Sequence, residues 1–332
     1  MGLWNSGRAA IEAAIIDIEK RYPEISKTCL LPSYTCRTVV IPFIRHDWKL
    51  FFYDIDEKLS VNAETLASKV EAVQPSVLLA HTYYGTDTLA DVRKLITKFQ
   101  KEKKLIFIED MTQSMFLLEK DISQADYLVG SLRKWLNTPD GGFCISDRKL
   151  DIADSGEYTE YIQAKTDAQR KKRHYLDGDV YSSKKDFLSI NNRAESLLYQ
   201  TTDLYSISDI TKAALTGFDM GEIKKRRQYN AEILDKGMQT LTSVTPIIHI
   251  DRTISPLYYP IYAEDRSRLQ KYLAEQNIFA PVLWDIPVEV TEEISVQTQY
   301  IYDHILALPC DHRYDDKDMH RIITCLKLYK GE

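Results

Sequence analysis

Leu105-Ile106-Phe107-Ile108-Glu109-Asp110 is a short apolar run closed by two carboxylates, and 24 positions beyond Asp110 the stretch Gly130-Ser131-Leu132-Arg133-Lys134-Trp135 delivers a lysine ahead of Gly141-Gly142. The first stretch reads as a buried strand, because a brief apolar run bounded by polar residues suits the interior of a sheet. Ligands in open α/β sheets sit at the carboxyl ends of such strands. Asp110 occupies that end, with Gln113 and Ser114 on the turn that follows.

Working outward, Val39 to Phe43, Ser76 to Ala80, Tyr127 to Val129 and Gly142 to Ile145 read as further buried strands. Helical stretches such as Asn62 to Ala72 and Ala90 to Lys101 separate them. The alternation predicts an α/β chain with a mostly parallel central sheet flanked by helices. From about residue 155 to 200 the composition turns polar and aromatic, which predicts an insertion or lid. A long helix is expected from Ser208 through Leu241, leading into a smaller carboxyl-terminal α+β domain. There Thr245 to His249 and Leu257 to Ile261 read as strands, and Arg266 to Gln276 and Asp315 to Tyr329 as helices. The expected division is a large domain over 1–205 and a second over 206–332.

A carboxylate at a strand end followed by this lysine points to a pyridoxal phosphate site. The lysine amine condenses with the cofactor aldehyde in a linkage that an incoming amine displaces, and a carboxylate beside the pyridine nitrogen keeps the ring protonated and electron-withdrawing. Ser131, three residues before Lys134, is placed to donate to a phosphate. Near the amino end, Asn5-Ser6-Gly7-Arg8-Ala9-Ala10 leads into Ile11-Glu12-Ala13-Ala14-Ile15-Ile16, small and polar residues giving way to a helix with Ser6 or Asn5 as its cap. Anions bind at helix N-termini, so Gly7, Arg8 and Ala9 form a candidate phosphate nest. Each residue also has a plainer reading: Asp110 as a turn or helix cap, Lys134 as a surface lysine, Gln113 as a partner for loop amides, Arg8 as a solvated side chain. Their order and spacing together favour the cofactor.

The succession Ser6-Gly7-x-Ala9-Ala10, Leu31-Pro32-Ser33-Tyr34-Thr35-Cys36, Tyr53-Asp54-Ile55-Asp56, Glu109-Asp110, Lys134 and Gly141-Gly142 resembles the DegT/DnrJ/EryC1/StrS sugar aminotransferases, a fold type I pyridoxal phosphate family. Ile207-Ser208-Asp209, Arg226-Arg227 and Leu306-Ala307-Leu308-Pro309 fall in the family's order as well, so the resemblance covers most of the chain. It implies that Lys134 holds the cofactor, that Asp110 partners the pyridine nitrogen, that Gln113 packs on or bonds to the ring, and that Gly7 to Ala9 cradle the phosphate. It further implies transfer of an amino group, with glutamate as donor, to a keto sugar linked to a nucleotide, in a homodimer whose sites are built between subunits.

Departures from the family pattern are equally specific. Cys36 stands where an aromatic residue of the family usually stacks on the ring, so that either Tyr34, expected on the same strand face, substitutes or the stacking is lost. Ser131 lies closer to the lysine than the family's serine does. Before Ile207-Ser208-Asp209 the family carries an Asn and an Arg, of which the Asn reaches the partner subunit's phosphate; this chain has Leu204 and Ser206. Five residues precede Ser6 where family members carry a longer arm that shapes the substrate pocket, so a remodelled sugar side is expected. Lys134 itself argues against the dehydratase branch, which has histidine there. Two other readings stay open: a fold type I amino-acid lyase, and a non-catalytic binding or scaffold subunit.

Composition narrows the classes. A chain of 332 residues can bury a substantial core. Its net charge of −6 supplies no general field for nucleic acid or an anionic membrane, so phosphate recognition must be local. Five cysteines without framework spacing suit reduced thiols, and no signal-peptide pattern or long apolar segment is present, which predicts a cytoplasmic protein. No metal is expected, since His304, His312 and His320 lie eight apart and no Cys-x-x-Cys pair occurs. The basic run Arg170-Lys171-Lys172-Arg173-His174 reads as a solvated helix face or as a contact for a nucleotide diphosphate.

Overall fold

A computed structural model describes every residue except Val180, Ser182, Arg252, Thr291, Glu292, Glu293 and Lys330 to Glu332. Along the chain run β1 (Gly2–Trp4), α1 (Gly7–Arg21), β2 (Thr28–Pro32), α2 (Arg37–Arg45), β3 (Lys49–Tyr53), α3 (Ala63–Val73), β4 (Val77–His81), α4 (Arg93–Lys103), β5 (Ile106–Asp110), β6 (Tyr127–Ser131) and β7 (Gly142–Ile145). These are followed by α5 (Thr159–Leu176), α6 (Lys184–Gln200), α7 (Asp209–Leu215), α8 (Met220–Met238), β8 (Thr245–Pro246), β9 (Tyr259–Tyr262), α9 (Arg266–Glu275), α10 (Val296–His304), β10 (Ile305–Leu308) and α11 (Asp316–Leu328). The first seven strands form a mostly parallel sheet, as the α/β alternation predicts, and β8 to β10 a separate three-stranded one.

The chain divides into two compact units, one of residues 1–23 and 129–218, the other of 24–128 and 219–332. In the first, β1 runs antiparallel to β7, pairing Trp4 with Gly142. Ser6 caps α1, its hydroxyl accepting from the Ala9 amide at 3.2 Å. Alanines and isoleucines then bury one side of the helix, and Lys20 and Arg21 lie at its carboxyl end, where cations suit the helix dipole. Helices α5 and α6 form a hairpin around Tyr161, Ile162, Ala194 and Leu198. The stretch expected as an insertion or lid is therefore ordered helix over most of its length.

In the second unit the strands run β5-β4-β2-β3, with parallel registers that set His81 beside Asp110 and Pro32 beside Tyr53. The apolar runs of β2, β4 and β5 are buried on both faces, as interior parallel strands require, while the edge strand β3 keeps Leu50 and Phe51 partly exposed. The antiparallel order β10-β9-β8 completes the carboxyl-terminal part, with α8, α9 and α11 closing over a core that includes Leu234, Leu269 and Ile322. Asp315 and Asp318 form a reciprocal capping box at the start of α11.

Three expectations require correction. Val39 to Phe43 lies within α2, not a strand: Val39, Val40 and Phe43 are buried, and Pro42 is accommodated inside the helix. The single helix expected from Ser208 to Leu241 is two, α7 and α8, because the chain breaks at Thr216-Gly217-Phe218 and restarts on the Asp219 cap. Tyr34 does not lie on a strand face, since β2 ends at Pro32 and Cys36 is already the cap of α2.

Candidate active site

In the first unit, β6 ends at Ser131 and a short 3-10 turn, Leu132–Lys134, follows directly. Gly7, the first residue of α1, sits against that strand end: a Cβ built on it would lie 3.1 Å from the Ser131 Cβ. The missing side chain lets the N-terminus of α1 lie close against the Ser131 end of β6, and a helix N-terminus beside a serine suits a phosphate. Lys134 is exposed and Ser131 is buried. Arg8 has its guanidinium over the Tyr199 ring, 5.6 Å from the centroid, and Ala9 gives its amide to Ser6.

The Gly141-Gly142 pair has a physical explanation in this unit. Gly141 holds φ at +128°, a region that side chains disfavour, and its amide donates to Asn5 O at 2.9 Å. A Cβ on Gly142 would stand 2.1 Å from Ser6 O. The two glycines therefore let the start of α1 pass close to the strand that follows the lysine turn. Between lysine and glycines lies Asp140, fully buried, which accepts from the Ser208 amide and hydroxyl at 2.8 Å each and from the Thr211 hydroxyl.

In the second unit, Asp110 closes β5 with only 5% of its surface exposed. Oδ1 accepts from the Thr112 amide at 2.8 Å, and Oδ2 lies 3.2 Å from His81 Nδ1. Burial pushes the carboxyl upward, but the hydrogen bond and charge of His81 and the bonds from Thr112 outweigh it and hold the group below its ordinary range. Asp110 is thus kept as an anion away from water. An ionised Asp110 requires the proton on His81 Nδ1, and Nε2 of the same ring is 2.8 Å from the Thr35 hydroxyl. The histidine was not singled out in the sequence, where a lone His before Thr82-Tyr83-Tyr84 carries no spacing signal. Only the β4–β5 register brings it to the carboxylate.

Gln113 is buried and its Oε1 accepts from the Tyr84 amide at 3.1 Å, the loop-amide role that the plainer reading assigned to it. Ser114 likewise joins the two strand ends, donating to Thr82 O and accepting from the Gly85 amide, each at 2.9 Å. Tyr34 is completely enclosed, with ring centroids of Trp284, Tyr302 and Tyr83 at 4.8, 5.0 and 5.6 Å. Its ring offers no open face for stacking. Trp284 is only partly buried and stands 5.6 Å from the His81 ring. Thus Gly7, Arg8, Ala9, Ser131 and Lys134 belong to one unit, while Asp110, Gln113 and Tyr34 belong to the other.

Each unit carries groups that suit a part of pyridoxal phosphate chemically: in the second, Asp110 is a buried carboxylate held ionised, fit for a pyridine nitrogen; in the first, a serine beside a helix N-terminus and an exposed lysine amine three residues later fit a phosphate and an aldehyde. Among solved structures the chain is similar to the sugar aminotransferase CalS13 from Micromonospora echinospora, at 16% identity and a TM-score of 0.68 over 98% of this chain and 86% of that one. It is similar to a DegT DnrJ EryC1 StrS aminotransferase from Brucella abortus, at 16% identity and a TM-score of 0.67 over 99% and 86%. It also resembles the putative sugar aminotransferase Spr1654 from Streptococcus pneumoniae in its PLP form, at 14% identity and a TM-score of 0.67 over 98% and 86%. At these identities the likeness establishes the fold, that of fold type I aminotransferases. No protein-family profile matches the sequence, and no curated protein matches it.

Proposed function

We propose that the protein is a pyridoxal-phosphate-dependent aminotransferase that passes an amino group from glutamate to a keto sugar carried on a nucleotide. The single observation that supports this most is the contact of Ser131 with Gly7 at the start of α1, three residues before Lys134. It sets an anion cradle and a primary amine on one short stretch. The bound cofactor supplies an electron-withdrawing ring that stabilises negative charge at the substrate carbon. Within that frame Ser131 and the first amides of α1 would bind the phosphate, and Lys134 would be the residue that holds the cofactor. The Lys134 amine would also serve as the general base and acid that moves a proton at the substrate carbon. Asp110, kept ionised by His81 and Thr112, would hold the ring nitrogen in its protonated form.

The aromatic surface in this reading is formed by Trp284 rather than by Tyr34, since its partly buried ring stands 5.6 Å from the ring of His81, the partner of Asp110. We take the protein to be a homodimer in the cytoplasm. No helix among the described residues is long and apolar enough to cross a membrane.

Absorption spectra of the protein loaded with pyridoxal phosphate, before and after glutamate, test the assignment. Conversion of the visible band to that of the pyridoxamine form, followed by its return on adding a keto sugar nucleotide, is the expected result. A band unchanged by glutamate, with release of a fragment from another amino acid, identifies a lyase instead. Lys134→Ala should remain folded and lose both the band and turnover; normal transamination by this variant contradicts the proposal.

A further inference from the structure

We propose that the α5–α6 hairpin is a fixed buttress for the lysine-bearing turn, with Glu195 acting through Arg133 as a positioning residue for Lys134; this rests on the reading of Lys134 given above. Arg133 is the immediate neighbour of Lys134 in the chain. Its guanidinium donates to both carboxylate oxygens of Glu195, at 2.7 and 3.2 Å, and to the Tyr161 hydroxyl at 3.1 Å. Tyr161 in turn donates to Pro139 O at 3.0 Å. One tyrosine of α5 therefore ties together both limbs of the turn, at residues 133 and 139.

The cluster is built to stay closed. Lys165 Nζ lies 2.9 Å from Glu195 and 2.7 Å from Asn191 Oδ1, so one carboxylate serves two cations and the hairpin is cross-linked through it. A two-pronged arginine–carboxylate pair fixes orientation as well as distance. Removing the carboxylate would leave Arg133 and Lys165 facing each other without compensation. The hairpin's apolar seam of Tyr161, Ile162, Ala194 and Leu198 runs alongside the same residues. At the far end of the turn Asp140 is held by Ser208 and Thr211 of α7. Lys134 thus stands between anchored points at 133, 139 and 140, and α6 also brings Tyr199 to Arg8 beside the phosphate cradle.

Such anchoring matters because a displacement of about 1 Å at a reacting group can lower a rate about 100-fold. The test measures how fast Lys134 captures pyridoxal phosphate, by borohydride quenching at graded times and mass mapping of the labelled peptide. In the reaction the amine and aldehyde join with loss of one water, and borohydride adds hydride to the carbon while the nitrogen takes a proton. Affinity for pyridoxamine phosphate, which cannot condense, is measured beside it with thermal melting.

Glu195→Gln should slow labelling at Lys134 by about 10- to 100-fold and change pyridoxamine phosphate affinity by less than about threefold. Tyr161→Phe, which keeps the ring and removes only the hydroxyl bonds, should give a smaller loss in the same direction with its melting temperature near that of the parent. A general structural role would instead lower pyridoxamine phosphate affinity in step with labelling in both variants, and would lower the melting temperature of Tyr161→Phe as well. Parental labelling rates in both variants overturn the buttress alone. Absence of label at Lys134 in the parent protein overturns the reading of Lys134 itself.

Discussion

His81 Nδ1 stands 3.2 Å from Asp110 Oδ2 with both side chains nearly enclosed, so each charged or polar group depends on the other to tolerate burial. Replacing His81 by Ala removes the main partner of a carboxylate that water cannot reach. The variant is expected to lose about 2–4 kcal/mol of stability near neutral pH, measured by urea unfolding. In the Asp110→Asn background the same change should cost clearly less, because the charge that needed the imidazole is gone. Equal costs in both backgrounds would show that the pair is not coupled.

Glu195 yields a pH prediction. Burial pushes its carboxyl up, but Arg133 and Lys165 dominate and hold it at about 2, below its ordinary 4.5. A carboxyl lowered on folding contributes stability that is fully present above its unfolded value and is lost as pH falls through the folded one. Its contribution should therefore fade between about pH 4.5 and pH 2. Glu195→Gln is expected to be less stable than the parent at pH 6, with the difference shrinking through that window in acid melts.

Ser131 separates phosphate recognition from ring recognition. Ser131→Ala should weaken binding of pyridoxal phosphate about 10- to 100-fold, the range for a hydrogen bond to a charged group, and leave pyridoxal binding unchanged. Equal losses for the two ligands in titration calorimetry would place the hydroxyl elsewhere in the site.

Gly142 tests the packing of α1 on the sheet. Gly142→Ala forces a methyl to within 2.1 Å of Ser6 O and 2.7 Å of the Gly7 amide, and backbone must move to admit it. A loss of about 1–3 kcal/mol or more is expected, together with weaker phosphate binding. Gly217→Ala, whose nearest neighbour is Ala214 O at 3.5 Å, should be close to neutral in the same thermal melts.

What could be read in the chain was whatever depends on covalent neighbours. Ser131 and Lys134 are three residues apart, Ser6 caps the helix it precedes, and β5 declares itself by its own apolar run, so these elements needed no tertiary information. The apolar run at Val39 to Phe43 misled because a short β-branched stretch fits a strand as readily as a buried helix face, and packing decided for the helix. Tyr34 was misplaced for the same reason: β2 stops two residues earlier, and the ring turns into a tyrosine and tryptophan cluster gathered from distant segments. His81 and Glu195 were out of reach because their meaning comes from partners 29 and 62 residues away, Asp110 and Arg133. Neither side chain carries a local motif. The stretch from 155 to 200 reads as an insertion or lid because its composition is polar and aromatic, and the sequence alone does not show that Lys165 and Glu195 within it face one another.

A crystal structure of the protein grown with pyridoxal phosphate tests the central claim most directly. The account predicts continuous density from Lys134 Nζ to the cofactor, with the Asp110 carboxylate within hydrogen-bond distance of the ring nitrogen and the phosphate at the start of α1 beside Ser131. Cofactor density joined to another lysine, or seated where Asp110 cannot reach the ring nitrogen, would contradict it.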